Sequence, residues 1–214
     1  MGNDGSSIVR VKNLQVSLGH LCNKTRDEEA KNFDAVSRWT VCRLTGHHLR
    51  PPVLSDYLGN LFNKESVLEW LLTPHKEDYS EEQIKLFGHI RSLKDVVELG
   101  NLVNSKDLRL KCDVGDEILG KSSSKLMYPA GCGHVLPRRM LENSTDQPKC
   151  PVCDKAISKG DNITLNAKGA DREALEKRMN NLKRLNLTHS GKRSKTKKRG
   201  ASVEDNPNAK RQKN

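Results

Sequence analysis

The sequence predicts an α+β chain of two small modules in tandem, the second stapled by one metal ion, followed by a charged helix and a disordered basic tail. Three observations carry this. Apolar residues make up 34% of the 214 and aromatic residues 4%, which suits two small modules better than one large core. A Cys-x-His pair, Cys132 and His134, is followed after a fifteen-residue interval by the Cys-x-x-Cys pair Cys150 and Cys153. The last 25 residues, 190–214, hold nine Lys or Arg against Glu204 and Asp205.

That last count divides the chain electrostatically. The formal net charge is +11, of which residues 190–214 carry +7 (nine minus two) and residues 171–189 carry +2 (five minus three). The first 170 residues keep only +2, so the body is not a basic nucleic-acid-binding domain and the tail carries that signal. No apolar run approaches a membrane span and no signal-peptide pattern is present, which predicts a soluble intracellular protein with no membrane contact.

Along the chain, residues 1–33 show no sustained period and read as a flexible arm. A first module is expected over 34–100. Asn63 caps a helix that buries Val67, Leu68, Leu71 and Leu72 and stops at Thr73-Pro74. Ser80 with Gln83 forms a capping box for a second helix carrying Ile84 and Phe87, and Lys94 to Leu99 reads as a strand. The second module is expected over 101–168: a hairpin at Met127-Tyr128, a short helix from Pro137 to Glu142, and a closing strand from Asn162 to Leu165. Asp171 then caps a charged helix, within 169–188, with Leu175, Met179 and Leu182 on one stripe. Residues 189–214 are disordered by composition.

Zinc takes four soft or borderline ligands in a tetrahedron, and two close pairs supply them with little loss of chain entropy. Cys132 and His134 form one pair, Cys150 and Cys153 the other, with Gly131, Gly133 and Pro151 shaping the turns. One Zn²⁺ is the expected cofactor, in the layout of the second site of a RING finger. Cys112 stands without a neighbouring ligand, so the first site of a full RING is missing. An internal comparison accounts for this. The segment beginning Cys42-Arg-Leu-Thr-Gly aligns with the one beginning Cys112-Asp-Val-Gly-Asp, and Leu58-Gly59-Asn60 aligns with Cys132-Gly133-His134. The inference is two copies of one RING-like fold: a metal-free, U-box-like copy over 34–100 and a single-zinc copy over 101–168.

These motifs in this order resemble the replication termination factor 2 family. The likeness runs through the Met-Gly-Asn-Asp-Gly start, Trp39-Thr-Val-Cys-Arg-Leu-Thr-Gly, Leu58 to Leu72, Gly131-Cys-Gly-His-Val, Cys150-Pro-Val-Cys and Ile163-Thr-Leu-Asn. The resemblance implies a nuclear adaptor that stabilises replication forks paused at site-specific barriers. Its implied partners are replisome or sliding-clamp-associated proteins, with spliceosome proteins as the alternative. A RING-type ubiquitin or SUMO ligase is the competing enzymatic reading. Leu44, Val114, Pro151 and Val152 would then grip a charged conjugating enzyme, and no catalytic side chain is expected. Lys192, Arg193, Lys195, Lys197, Lys198, Arg199, Lys210, Arg211 and Lys213 are the candidates for nuclear import and for weak, non-specific nucleic-acid contact.

Overall fold

Two three-stranded antiparallel sheets with the same strand order organise the chain in the computed structural model, which describes residues 33–73, 76–105, 109–121, 125–142, 149–158 and 160–193. In the first sheet, β1 (Val53–Ser55) pairs with β2 (Leu61–Asn63) on one side and β3 (Val97–Leu99) on the other, with Leu54 opposite both Phe62 and Glu98. In the second, β6 (Leu126–Pro129) lies between β7 (Leu136–Pro137) and β8 (Asn162–Thr164), with Met127 opposite Leu136 and Tyr128 opposite Ile163. Each hairpin runs straight into a helix, α2 (Lys64–Leu72) or α4 (Arg138–Glu142). Between the sheets, β4 (Leu102–Asn104) pairs with β5 (Leu110–Cys112). Helix α3 (Glu81–Phe87) precedes a 3-10 turn at Leu93–Asp95, so the expected strand from Lys94 narrows to β3. A helix not expected from sequence, α1, covers 33–40, and α5 (Ala170–Arg184) is the last helix among the described residues.

Local sequence explains most of these elements. The Ser80 capping box forms with both reciprocal bonds, and Phe87 at the end of α3 meets Phe62 edge-on at 5.3 Å. Asn63 does occupy the N-cap of α2 but makes no cap bond. Its amide instead accepts from Arg50 N–H and donates to the His48 carbonyl, fastening the preceding loop. The inward face of α2 is Ser66, Val67 and Trp70, not Leu68 and Leu72, which are exposed. Trp70 decides this rotation: its ring is buried and its Nε1 donates to the Ile90 carbonyl at 3.0 Å. On α5 the N-cap is Gly169, and Asp171 sits in the first turn, where its carboxylate meets Lys125 Nζ at 2.6 Å. Leu175 and Met179 are buried as the stripe predicted.

The two halves do not keep separate cores. A single cluster joins Leu61, Phe62, Val67 and Trp70 to Tyr128, Val135, Ile163 and Leu175. The two sheets thereby share one main core, with a smaller cluster of Leu136, Leu141, Cys150 and Ile157 beside it. Their contact is reciprocal. The Gly59 carbonyl accepts from Asn166 N–H, just past β8, and the Gly133 carbonyl accepts from Gly100 N–H, just past β3, both at 2.9 Å. Both glycines have positive φ, 78° and 74°, and a Cβ would collide with the carbonyl oxygen of Thr164 at the first and of Glu98 at the second. Gly59 and Gly133, aligned in the sequence, thus make contacts of the same kind with the other sheet.

After α5 the chain folds back, and the boundary drawn at 189 cuts through this return. His189 is 1% exposed. Its Nε2 lies 2.9 Å from Tyr128 Oη and its Nδ1 lies 3.2 Å from Arg178 Nη1. Arginine only donates, so Nδ1 accepts, Nε2 carries the proton, and Tyr128 passes its own hydrogen to the Asp56 carbonyl at 3.0 Å. Arg178 also binds Asp161 at 2.9 Å. Burial and the Arg178 charge push His189 down to about 3, matching a neutral ring.

Candidate metal centre

The turn that presents Cys150 occurs three times. Cys42 N–H donates to the His47 carbonyl, Cys112 to Glu117 and Cys150 to Lys155, in each case five residues on. Residues one before and six after each cysteine form an isolated bridge: Val41 with His48, Lys111 with Ile118, Lys149 with Ala156. The fourth residue after each cysteine, Gly46, Asp116 or Asp154, takes positive φ. Glycine does so freely and aspartate more readily than most residues. Only the third turn places a second thiol at its tip, Cys153, where the others have Thr45 and Gly115. Asp154 thus fills a conformational position.

Cys132 and His134 come from the turn that follows β6, where Cys132 N–H and Gly133 N–H both donate to the Pro129 carbonyl. The ligand atoms of Cys132, His134, Cys150 and Cys153 all lie within 4.8 Å of one another, and Cys150 Sγ lies 3.5 Å from His134 Nδ1. This group can hold one metal ion. Cys150 is fully buried over Leu136, Leu141 and Ile157, while the other three are partly exposed. Burial pushes the Cys132 thiol up to about 12, whereas the Lys155 backbone N–H holds Cys153 below the usual thiol range. Metal entry must therefore displace a proton from Cys132, making affinity rise with pH. Gly100, just past β3, positions a ligand as well: the His134 ring packs on it, and a Cβ there would stand 2.8 Å from Cδ2.

Cys112 belongs to a different environment. It is buried, with Sγ 2.9 Å from the Val114 carbonyl and 3.1 Å from the Val135 carbonyl, and burial raises its thiol. A protonated donor fits between two carbonyls; a metal-binding thiolate does not. Its counterpart Cys42 is also buried and accepts from Asn63 N–H at 3.4 Å.

While the turn after β6 gathers ligands, the turn after β1 gathers hydrogen bonds around the fully buried Asp56. Its Oδ1 accepts from Leu58 N–H and Asn60 N–H, and its Oδ2 faces Asn60 Nδ2 at 2.8 Å and His89 Nε2 at 3.1 Å. Sequence comparison singled out Leu58 and Asn60 but missed Asp56, since the equivalent Ala130 carries no donor or acceptor side chain to flag it.

Of the residues expected to grip a conjugating enzyme, Val114 packs against the cluster that contains Cys150. Pro151 and Val152 are exposed beside the ligands, and Val114 is half-buried. Leu44 is 3% exposed, and its carbonyl accepts from Gln83 Nε2 of α3. Lys192 and Arg193 lie on the surface at the end of the return strand. Lys195, Lys197, Lys198, Arg199, Lys210, Arg211 and Lys213, like the arm before residue 33, fall outside the described residues.

A family model described as Rtf2 RING-finger matches residues 1–214. The chain belongs to the Rtf2 family. It is 32% identical over 217 aligned positions to the mouse protein named replication termination factor 2, covering 92% of this chain and 66% of that one. The Dictyostelium discoideum protein of the same name is 29% identical, covering 72% and 66%. The fission yeast relative, named splicing factor rtf2, is 30% identical, covering 89% and 75%. This Rtf2 chain therefore spans about two thirds to three quarters of the length of these relatives. Among its described residues no helix is long and apolar enough to cross a membrane.

Proposed function

We propose that this Rtf2-family chain is a nuclear, zinc-binding adaptor that stabilises replication forks paused at site-specific barriers and supports termination. Its architecture on this reading is two copies of one RING-like fold, the first metal-free and U-box-like. The threefold cysteine turn, the common strand order and the paired Gly59 and Gly133 contacts support the duplication. The observation that carries the proposal is the convergence of three sulfurs and one imidazole within 4.8 Å. Zn–S bonds of about 2.3 Å in a tetrahedron put sulfurs roughly 3.8 Å apart, which this group reaches with small adjustments. With four protein ligands the ion keeps no open position, and a closed site of this kind supports folding and not chemistry. That favours an adaptor over an enzyme acting through its metal.

A second reading, pre-mRNA splicing, is favoured by the name of the fission yeast relative. Proximity labelling in nuclei separates the two, using the full chain and Cys150→Ala. The fork reading expects replisome or clamp-associated proteins around the full chain, with their labelling lost in the variant. Labelling of spliceosome proteins alone would transfer the proposal to splicing.

A further inference from the structure

The return strand leaves a cleft of about 960 Å³ between α5 and the turn that follows α3. Its apolar lining comes from Tyr57, Met179 and Leu187, and its charged lining from Arg91, Lys94 and Lys183. Met179 is buried in the cleft wall, and Tyr57 is fixed edge-on against His89 at 4.8 Å between centroids. None of these residues is a member of the four-ligand group, and the cleft bears no relation to the three cysteine turns.

Its charge is not neutralised from within. Asp95 is the one acidic side chain in the lining, and its Oδ2 is consumed by Arg91 N–H, Ser92 N–H and Ser92 Oγ at 2.8–3.1 Å. Among the described residues, Arg91 and Lys183 have no carboxylate partner, and Lys94 gives one hydrogen bond to the Arg193 carbonyl. Three cations against one acid leave +2 here, equal to the whole net charge of residues 1–170. The Lys94 backbone is also anchored. Ser190 donates twice to the Lys94 carbonyl, from its N–H at 3.3 Å and its Oγ at 2.8 Å, tying the return strand to the Arg91–Asp95 turn.

We infer that this cleft binds an acidic peptide segment of a partner protein, with an apolar side chain on Tyr57, Met179 and Leu187 and carboxylates on Arg91 and Lys183. The volume lies at the upper end for small-molecule pockets and suits a short stretch of chain. An apolar floor under rim cations matches a segment in which acidic and apolar residues alternate, because both parts of the lining are then satisfied together. A bare phosphate would use the cations and leave the floor wet. The site stands independently of the metal and of the choice between replication and splicing.

The test uses the full chain and a fluorescein-labelled ten-residue peptide of alternating aspartate and leucine carrying a benzophenone. Fluorescence anisotropy is measured near physiological salt. Arg91→Glu with Lys183→Glu should weaken binding about 10- to 30-fold, since each reversed surface charge changes the energy by up to about 1 kcal/mol. Lys85→Glu, an exposed reversal on α3 outside the cleft, should leave it unchanged. Photo-cross-links should map to the cleft lining. The proposal is overturned if cross-links fall only on the basic tail, if the double variant binds like the parent, or if Lys85→Glu weakens binding equally. It is likewise overturned if a single-stranded oligonucleotide, and not the peptide, loses affinity in the double variant.

Discussion

Acidification should destabilise this protein through His189, and the structure gives the size of the effect. The ring is buried and neutral, held below its usual value of 6.5 to about 3 by burial and then by Arg178, with Asp56 opposing and His89 adding to the shift. In the unfolded chain the same ring takes up a proton below 6.5. The folded pKa is the lower one, so the contribution is complete above 6.5 and drains away as pH falls towards 3. Each pH unit in that window is worth about 1.4 kcal/mol, so moving from pH 7.5 to pH 5 removes about 2 kcal/mol. The perturbation is His189→Gln, which keeps an acceptor for Arg178 and a donor for Tyr128 but does not titrate. Urea unfolding of both proteins at the two pH values isolates the term, because acid effects on the metal ligands are common to both. The parent should lose about 2 kcal/mol more than the variant over this interval. Equal losses would refute the account of His189 as a buried neutral link between α5 and the second sheet.

Three further outcomes are expected. Gly100→Ala alters no ligand but pushes a methyl group against the His134 ring, so metal affinity measured by chelator competition should fall about 10- to 100-fold. Asp56→Ala strands the N–H groups of Leu58 and Asn60 and the Asn60 side chain, and should cost about 3–5 kcal/mol in chemical denaturation. Removing residues 194–214 takes away seven of the tail's nine cations and leaves the core cluster and the metal ligands whole, so folding by circular dichroism and metal content should be retained, while salt-sensitive binding to DNA or RNA and nuclear entry are lost.

The parts legible in the sequence were those set by short-range chemistry. The Ser80–Gln83 capping box, the ligand pairs and the Leu175–Met179 stripe each depend on neighbours within a few residues, and each formed. The parts misread depend on which long-range partner wins. Leu68 and Leu72 fit an apolar stripe as well as Trp70 does, but Trp70 fills more core and its indole N–H has an acceptor at Ile90. His189 is followed by a segment rich in Ser, Gly, Lys and Arg, a composition that signals disorder, and nothing local announces its bonds to Tyr128 and Arg178. The recurrence of Gly46, Asp116 and Asp154 four residues after a cysteine was readable, and it would have marked all three turns.

The central claim is a single closed zinc site formed by Cys132, His134, Cys150 and Cys153, with Cys112 outside it. Elemental analysis of the purified full chain tests it most directly. The account predicts one equivalent of zinc, none in Cys150→Ala, and one in a Cys112→Ala chain shown to be folded by circular dichroism. Two equivalents in the parent, none at all, or zinc lost from folded Cys112→Ala would contradict it.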